Sequence, residues 1–243
     1  MPEIRVGTSG WMYDYWRGSF YPEKLPKTRW FEHYATVFDT VELNNTFYAT
    51  PREGTVTGWY EKTPPGFLFA VKGARYITHM KRLGPVQESL QRQDAPLVHL
   101  KEKLGPVLWQ LPEKWHLDLD RLEQFLALRP ATQRWCFEFR SQTCFCPEVY
   151  ELFRRYNVAL VWADTPNYPF AAEVTADFLY ARLHGHEEFY ASRYSDEQLA
   201  WWRDLLTEAG EGKRDLFAYF DNDAHGHAPW DALRLRELLR AVV

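Results

Sequence analysis

Cysteine is scarce in this chain of 243 residues. Cys136, Cys144 and Cys146 are its three, and so sparse and odd a set builds no disulfide framework. Cys144 and Cys146 flank one residue rather than the two of a zinc knuckle, and no second pair accompanies them. Such usage fits reduced thiols and a cytoplasmic protein. Long apolar runs are missing too. No stretch approaches the roughly 18 apolar residues of a membrane-spanning helix, so no membrane partner is expected. The opening "MPEIRVGTSG" has no basic segment followed by an apolar core, so it does not read as a secretory signal. Nor is there an excess of positive charge. Lys and Arg number 29 against 33 Asp and Glu, a net charge of -4. That supplies no global field for nucleic acid or an anionic membrane, although a local basic patch stays open.

What is abundant is aromatic: 17% of the chain, with 11 Trp. Many of these residues fall in strand-like runs: "IRVGTSG" (4–10), "TVELNNTFY" (40–48), "FLFAVKG" (67–73), "PVLWQLP" (106–112), "RWCFEFR" (134–140), "VALVWAD" (158–164), "FLYARLHG" (178–185) and "LFAYFDN" (216–222). Helix-like segments lie between most of them. "TRWFEHYATVF" carries apolar residues at helical spacing, and "DLDRLEQFLALR" starts acidic and ends in Arg. "PEVYELFRRY" opens on Pro147. "SDEQLAWWRDLLTEAG" offers Ser195 and Gln198 as a capping box and Gly210 as a stop, and "APWDALRLRELLRAVV" ends the chain. Eight strand–helix units at about 30 residues each predict a (β/α)8 TIM barrel, which takes about 250 residues. No linker divides the chain, so one α/β domain over 1–243 is expected, with a sixth crossover (165–177) too short and Pro-broken for a good helix. An open doubly wound sheet is the competitor, but "GTSGW" lacks the spacing of a Gly-rich phosphate turn.

Polar residues gather at the C-terminal ends of these strands. Strand alternation pairs Glu42 with Asn44, Glu138 with Arg140, Trp162 with Asp164 and Arg182 with His184, while Lys72, Gln110 and Asn222 stand singly. In a barrel this end is the mouth, where active sites form. The expected partners are Lys72 for Glu138 and Asp164 for Arg140. A self-neutralising ion-pair network is the structural alternative, since Glu42, Glu138 and Asp164 balance Lys72, Arg140 and Arg182.

The ordered motifs "GTSGW", "VELNNTFY", "VKGARYITH", "LGPVLWQLP", "FEFR", "YARLHG" and "YFDN" span essentially the whole chain. Together they resemble the YecE-like proteins, domain-of-unknown-function family 72. The resemblance implies a (β/α)8 barrel and no established reaction. It places Glu42, Asn44, Phe47, Tyr48, Lys72, Arg75, Thr78, His79, Gln110, Glu138, Arg140, Arg182 and His184 in motif positions. Two departures stand out: "SQTC" follows "EFR" where the family tends to have His-Pro-Ser-Trp, and Asp221-Asn222 stands where it tends to have two Asn. The first implies a differently shaped fifth loop.

Several chemistries compete for this mouth. Glu42, Glu138, Asp164 and His184 could hold a divalent metal, but Lys72, Arg140 and Arg182 enter the same space and oppose a dication. Endonuclease IV-type barrels use several His ligands, and only His184 lies on the predicted inward face. Glycoside hydrolysis needs two facing carboxyls. Glu42 and Glu138 each have a base nearby that lowers the pKa, the wrong direction for a general acid. Ser9 has no nucleophile-elbow spacing, and Gly7 and Gly10 read as permitting a tight turn.

A small anionic or sugar-like ligand, handled by acid–base chemistry without a resident cofactor, fits best. Glu138, His184 and Glu42 are the candidate catalytic groups, and Lys72, Arg140 and Arg182 the clamps. Asn44, Gln110, Asp164, Asn222, Tyr48, Trp11 and His79 complete the expected lining. An anion is expected between Arg182, His184 and Asn222 at the start of the last helix, with Asp221 and Asp223 turned away. The aromatic loop "WMYDYWRGSFY" (11–21) and the basic loop "KGARYITHMKR" (72–82) make nucleic acid the rival ligand. A hydrophobic lid is the plainer reading of the first loop, and a non-catalytic ligand-binding scaffold the plainer reading of the whole.

Overall fold

The structure, a computed structural model, describes residues 2–242. Eight parallel strands form one sheet in the order β1-β8-β7-β6-β5-β4-β3-β2. They are β1 (Ile4–Thr8), β2 (Thr40–Leu43), β3 (Leu68–Lys72), β4 (Leu104–Gln110), β5 (Trp135–Glu138), β6 (Ala159–Asp164), β7 (Phe178–Leu183) and β8 (Asp215–Phe220). A parallel bridge between Ser9 and Glu42 joins β1 to β2, and Gly10 N–H donates to the Glu42 carbonyl at 2.9 Å. The expected (β/α)8 barrel is thus present, with most strands one to five residues shorter than their apolar runs and β4 of equal length but shifted two residues towards the N-terminus. Among the described residues, no helix is long and apolar enough to cross a membrane.

The helices follow the terminal signals in the sequence. After α1 (Trp30–Val37), α2 (Asn45–Tyr48) is a single turn, so "VELNNTFY" leaves the strand at Leu43. Two longer helices, α3 (Glu53–Glu61) and α4 (Gln87–Leu97), precede α5 (Leu119–Leu126) and α6 (Pro147–Tyr156). Pro147 occupies the first turn of α6, where its missing N–H costs nothing. In α7 (Asp196–Gly210) the Ser195–Gln198 capping box forms in both directions. The left-handed residue that ends α7 is Glu211 rather than Gly210. α8 (Ala228–Arg240) closes the fold, and the crossover between β6 and β7 contains no helix.

One apolar cluster fills the lumen: Ala70, Leu108, Cys136, Ala159, Val161, Ala163, Phe178, Tyr180, Phe217 and Tyr219, with Leu68 and Ala176 against it. Larger clusters fill the layer between strands and helices. Gly7 of β1 leaves no room for a side chain, since a Cβ there would lie 2.5 Å from the Thr40 carbonyl oxygen. Gly10 adopts φ +88°, which suits glycine and makes the turn out of β1.

The lumen cluster fixes the face of each strand and corrects two expectations. On β6 the inward residues are Ala159, Val161 and Ala163, so Trp162 and Asp164 face the helices. On β8 Phe217 and Tyr219 point inward, so Asp221 follows them and Asn222 does not.

Candidate active site at the barrel mouth

Above the lumen cluster lies a layer of charge centred on Arg182, which is fully buried. Its guanidinium grips Glu42 side-on: Nε donates to Oε1 and Oε2 at 3.2 and 3.0 Å, and Nη2 to Oε1 at 2.7 Å. Nη1 donates to Glu138 Oε2 at 2.5 Å, and Nη2 reaches Asp221 Oδ2 at 3.1 Å and Ser9 Oγ at 3.2 Å. Glu42 also accepts from the Ser9 hydroxyl and from Tyr180 at 2.7 Å. Glu138 accepts from Gln110 Nε2 at 2.6 Å and from Arg140 Nε at 3.3 Å.

These bonds decide the protonation states. Burial works to raise the Glu138 pKa, but Arg182, with Arg140 among the contributors, holds it well below the usual carboxylate range. Burial likewise opposes ionisation of Asp221, and the His184 ring and Arg182 outweigh it. Arg182 Nη1 lies 3.1 Å from His184 Nε2. A guanidinium can only donate, so any hydrogen bond between the two runs from Arg182 to the ring. Nδ1 lies 3.2 Å from Asp221 Oδ2 but out of line for a proper hydrogen bond.

The anion site expected between Arg182, His184 and Asn222 is not formed. Arg182 is bound bidentately by Glu42 and also serves two further carboxylates. Asn222 Nδ2 instead donates to Ser192 O at 3.0 Å and to Asp231 Oδ2 at 2.8 Å, beside α8. Asp223 accepts from Tyr15 and from Trp16 Nε1 at 2.7 and 2.8 Å. Burial pushes its pKa up to about 6 against those bonds. Asp164 is also removed from the mouth lining: Trp202 Nε1 of α7 donates to it at 2.8 Å, and His186 Nδ1 lies 3.0 Å away. The expected Lys72–Glu138 and Arg140–Asp164 pairs are absent. Arg140 pairs with Glu138, reaches the Tyr190 hydroxyl at 3.2 Å, and stacks 4.7 Å from the Tyr168 ring.

Lys72 is the exception to this pairing. It ends β3 on the inward face and is half-buried. Its ammonium lies 4.6 Å from the Phe47 ring centroid. Its backbone is pinned by Thr46 Oγ1, which donates to the Lys72 carbonyl at 2.7 Å. Burial first, and then Arg182, push its pKa down to about 8, against the pull of Glu138, Glu42 and Asp221. His79 packs edge-on against the same Phe47 ring at 5.1 Å. Burial and the Lys72 charge push its pKa down to about 4, so its imidazole is neutral at pH 7.

Trp11 is largely core, stacked 4.4 Å from Phe31, although it also borders a cavity of about 230 Å³ with Gly10, Met12, Tyr13, Asn44 and Asn45. Loop 11–21 is a packed lid in part, with Trp16, Phe20 and Tyr21 buried but Met12 and Tyr15 exposed. Asn44 Oδ1 is buried without a partner. Tyr48, at 79% exposure, lies on the rim. Among the described residues, no group of three or more His, Cys, Asp or Glu is arranged to hold a metal ion. Sequence reasoning set Ser9 aside as a nucleophile, turned Asp221 away from the mouth, and gave Tyr180 and Tyr190 no role.

The model of the family described as "Protein of unknown function DUF72" matches residues 5–243. The chain belongs to the DUF72 family. Among its relatives, the UPF0759 protein YunF of Bacillus subtilis is 27% identical over 97% of this chain and 94% of its own length. The UPF0759 protein YecE of Escherichia coli is 30% identical over 47% of this chain and 42% of its own. The crystal structure of a DUF72 family protein from Thermotoga maritima superposes with a TM-score of 0.86 at 29% identity, covering 98% of this chain and 99% of that one. A DUF72 protein of Enterococcus faecalis, 20% identical, shares the fold with a TM-score of 0.82 over 98% of this chain and 95% of that one.

Proposed function

We propose that the barrel mouth is the active site of an enzyme that binds a small anionic or sugar-like compound and acts on it by proton transfer, without a resident cofactor. One observation carries this reading. Arg182 spends its donors on the protein's own carboxylates, whereas Lys72 has no carboxylate within ion-pair distance among the described residues. An anion entering the mouth meets Lys72 and the remaining donors of Arg140, which Tyr168 and Tyr190 orient. An amine with a pKa near 8 can both give and take a proton near neutral pH. Glu138, Glu42 and His184 form the charged floor beneath it, with Glu138 fixing Arg140 and Arg182 rather than serving as an acid.

A thermal-shift screen of small phosphates, carboxylates and sugar acids tests this. A true ligand at about 100 times its Kd adds about 2.7 kcal/mol, and Arg140→Met is expected to remove that gain. A screen in which no such compound stabilises the protein sinks the reading. Nucleic acid is a second reading, favoured by the exposed Arg75, Lys81 and Arg82 beside the partly exposed Tyr76. It requires binding of short oligonucleotides that weakens steeply with salt and with charge reversal at Lys81 and Arg82.

A further inference from the structure

Two lysines of this barrel carry inward-turned or buried ammonium groups, and their surroundings differ. Lys103 is buried, and its Nζ donates to the Tyr60 and Thr63 carbonyls at 2.7 Å each and to Thr63 Oγ1 at 3.0 Å. All three of its protons are satisfied, as a structural ammonium requires. Lys72 has no such acceptor among the described residues. It rests over Phe47 with its backbone clamped by Thr46. The nearby carboxylates that would neutralise it are instead committed to Arg182. An ammonium stripped of much of its water by burial and given no protein acceptor is easily deprotonated, and a neutral amine there has a free lone pair.

We infer that Lys72 is a covalent nucleophile that condenses with a small aldehyde or ketone to form an imine at the barrel mouth. The inference rests on the proposed site and names its substrate class, an anionic carbonyl compound. In the reaction the Nζ lone pair forms a bond to the carbonyl carbon, and the C=O π pair moves to oxygen, which takes a proton as nitrogen loses one. The resulting hydroxyl then leaves as water after accepting a second proton, the nitrogen lone pair forms the C=N bond, and nitrogen releases its remaining proton. One carbonyl compound and one amine give one imine and one water, with no change of oxidation state. The ionisable groups acting on the amine are Arg182, Glu138, Glu42 and Asp221, and His79, which feels the charges of Lys72, Arg75 and Arg140, is its further titratable neighbour. His79 shares the Phe47 ring with Lys72, but with a pKa of about 4 it is too weak a base for this step, and the amine's proton passes to solvent water. At pH 8 the neutral fraction of an amine with a pKa of about 8 is roughly a hundredfold that of an ordinary lysine.

The test is reductive trapping. The intact protein is incubated at pH 8 with glyoxylate or with uncharged glycolaldehyde in the presence of cyanoborohydride, and adducts are mapped by peptide mass spectrometry. Labelling of Lys72 roughly a hundredfold above exposed Lys24 is expected, with Lys103 unlabelled and glyoxylate favoured over glycolaldehyde. Lys72→Met and Lys72→Arg, each checked for a cooperative melt, should abolish the dominant adduct. Equal labelling of Lys72 by both reagents supports the nucleophile and counts against the anion site. Labelling spread evenly over surface lysines overturns the inference, even where a small anion still stabilises the protein. Persistence of the dominant adduct in Lys72→Met overturns it as well.

Discussion

Replacing Lys72 by Met should make the protein more stable. The amine falls from an ordinary pKa of 10.5 to about 8 on folding, so the folded state disfavours its charge. At about 1.36 kcal/mol per pKa unit the charge costs up to about 3 kcal/mol at pH 7. Met keeps the length and apolar stem, can still pack on Phe47, and removes the charge, so a gain of about 1–3 kcal/mol is expected. Linkage supplies a second signature. Below pH 8 the lysine is protonated in both folded and unfolded chains, and its full cost is felt. Between about 8 and 10.5 the unfolded chain binds more protons, so wild-type stability rises with pH relative to the variant. Urea unfolding of both proteins at pH 7, 8, 9 and 10 measures the difference directly, and groups common to both cancel. A Lys72→Met protein more than about 1 kcal/mol less stable than wild type at pH 7, at the scale of a lost charged hydrogen bond, would refute the reasoning. The ammonium would then be a structural partner of the carboxylates beneath it.

Arg182→Met leaves Glu42, Glu138 and Asp221 buried without their common cation, and a loss of about 3–5 kcal/mol in chemical denaturation is expected. Glu138→Gln nearly preserves shape but leaves Arg182 and Arg140 short of one negative charge, for a loss of about 1–3 kcal/mol at pH 7. Because the folded pKa of Glu138 is depressed, its stabilisation is present above the unfolded carboxylate pKa of about 4 and fades as pH falls through the folded value. Acid titration of stability should therefore be shallower in Glu138→Gln than in wild type. Gly7→Ala would put a methyl 2.5 Å from the Thr40 carbonyl oxygen, and a melting-point drop equivalent to about 1–3 kcal/mol is expected.

The barrel was legible in the sequence because each strand is a dense apolar run and most helices announce their ends. The Ser195–Gln198 box and Pro147 are instances of such signals. α3 is not legible in the same way: Gly54, Thr55, Val56, Thr57 and Gly58 are poor helix formers, and burial of Val56 and Trp59 holds it in place. Side-chain direction on β6 and β8 was harder to read. Strands of a parallel barrel are buried on both faces, so apolar alternation does not reveal the lumen side. Asp164 and Asn222 were placed inward because polar residues at strand ends suggested a mouth. Their partners, Trp202 and Asp231, lie on helices distant in sequence. Of the inner charged layer, Glu42, Glu138, Arg140, Arg182 and His184 were recognised, while Asp221 was assigned to the opposite face from its observed one.

The circuit of backbone pairing around the barrel is thinnest at one place. Between β1 and β2 it amounts to the Ser9–Glu42 bridge and the bond from Gly10 N–H to the Glu42 carbonyl. Arg182, on β7, reaches Ser9, Glu42, Glu138 and Asp221, residues at the tops of four other strands and on both sides of this gap. The wall is therefore held shut like the rim of a wheel by a hub and its spokes. Glu42 is where spoke and rim meet, its carboxylate on the hub and its backbone in the gap. A change at Glu42 therefore acts on the hub through its side chain and on the gap through its backbone, at the one place where two strand edges are least covered by pairing.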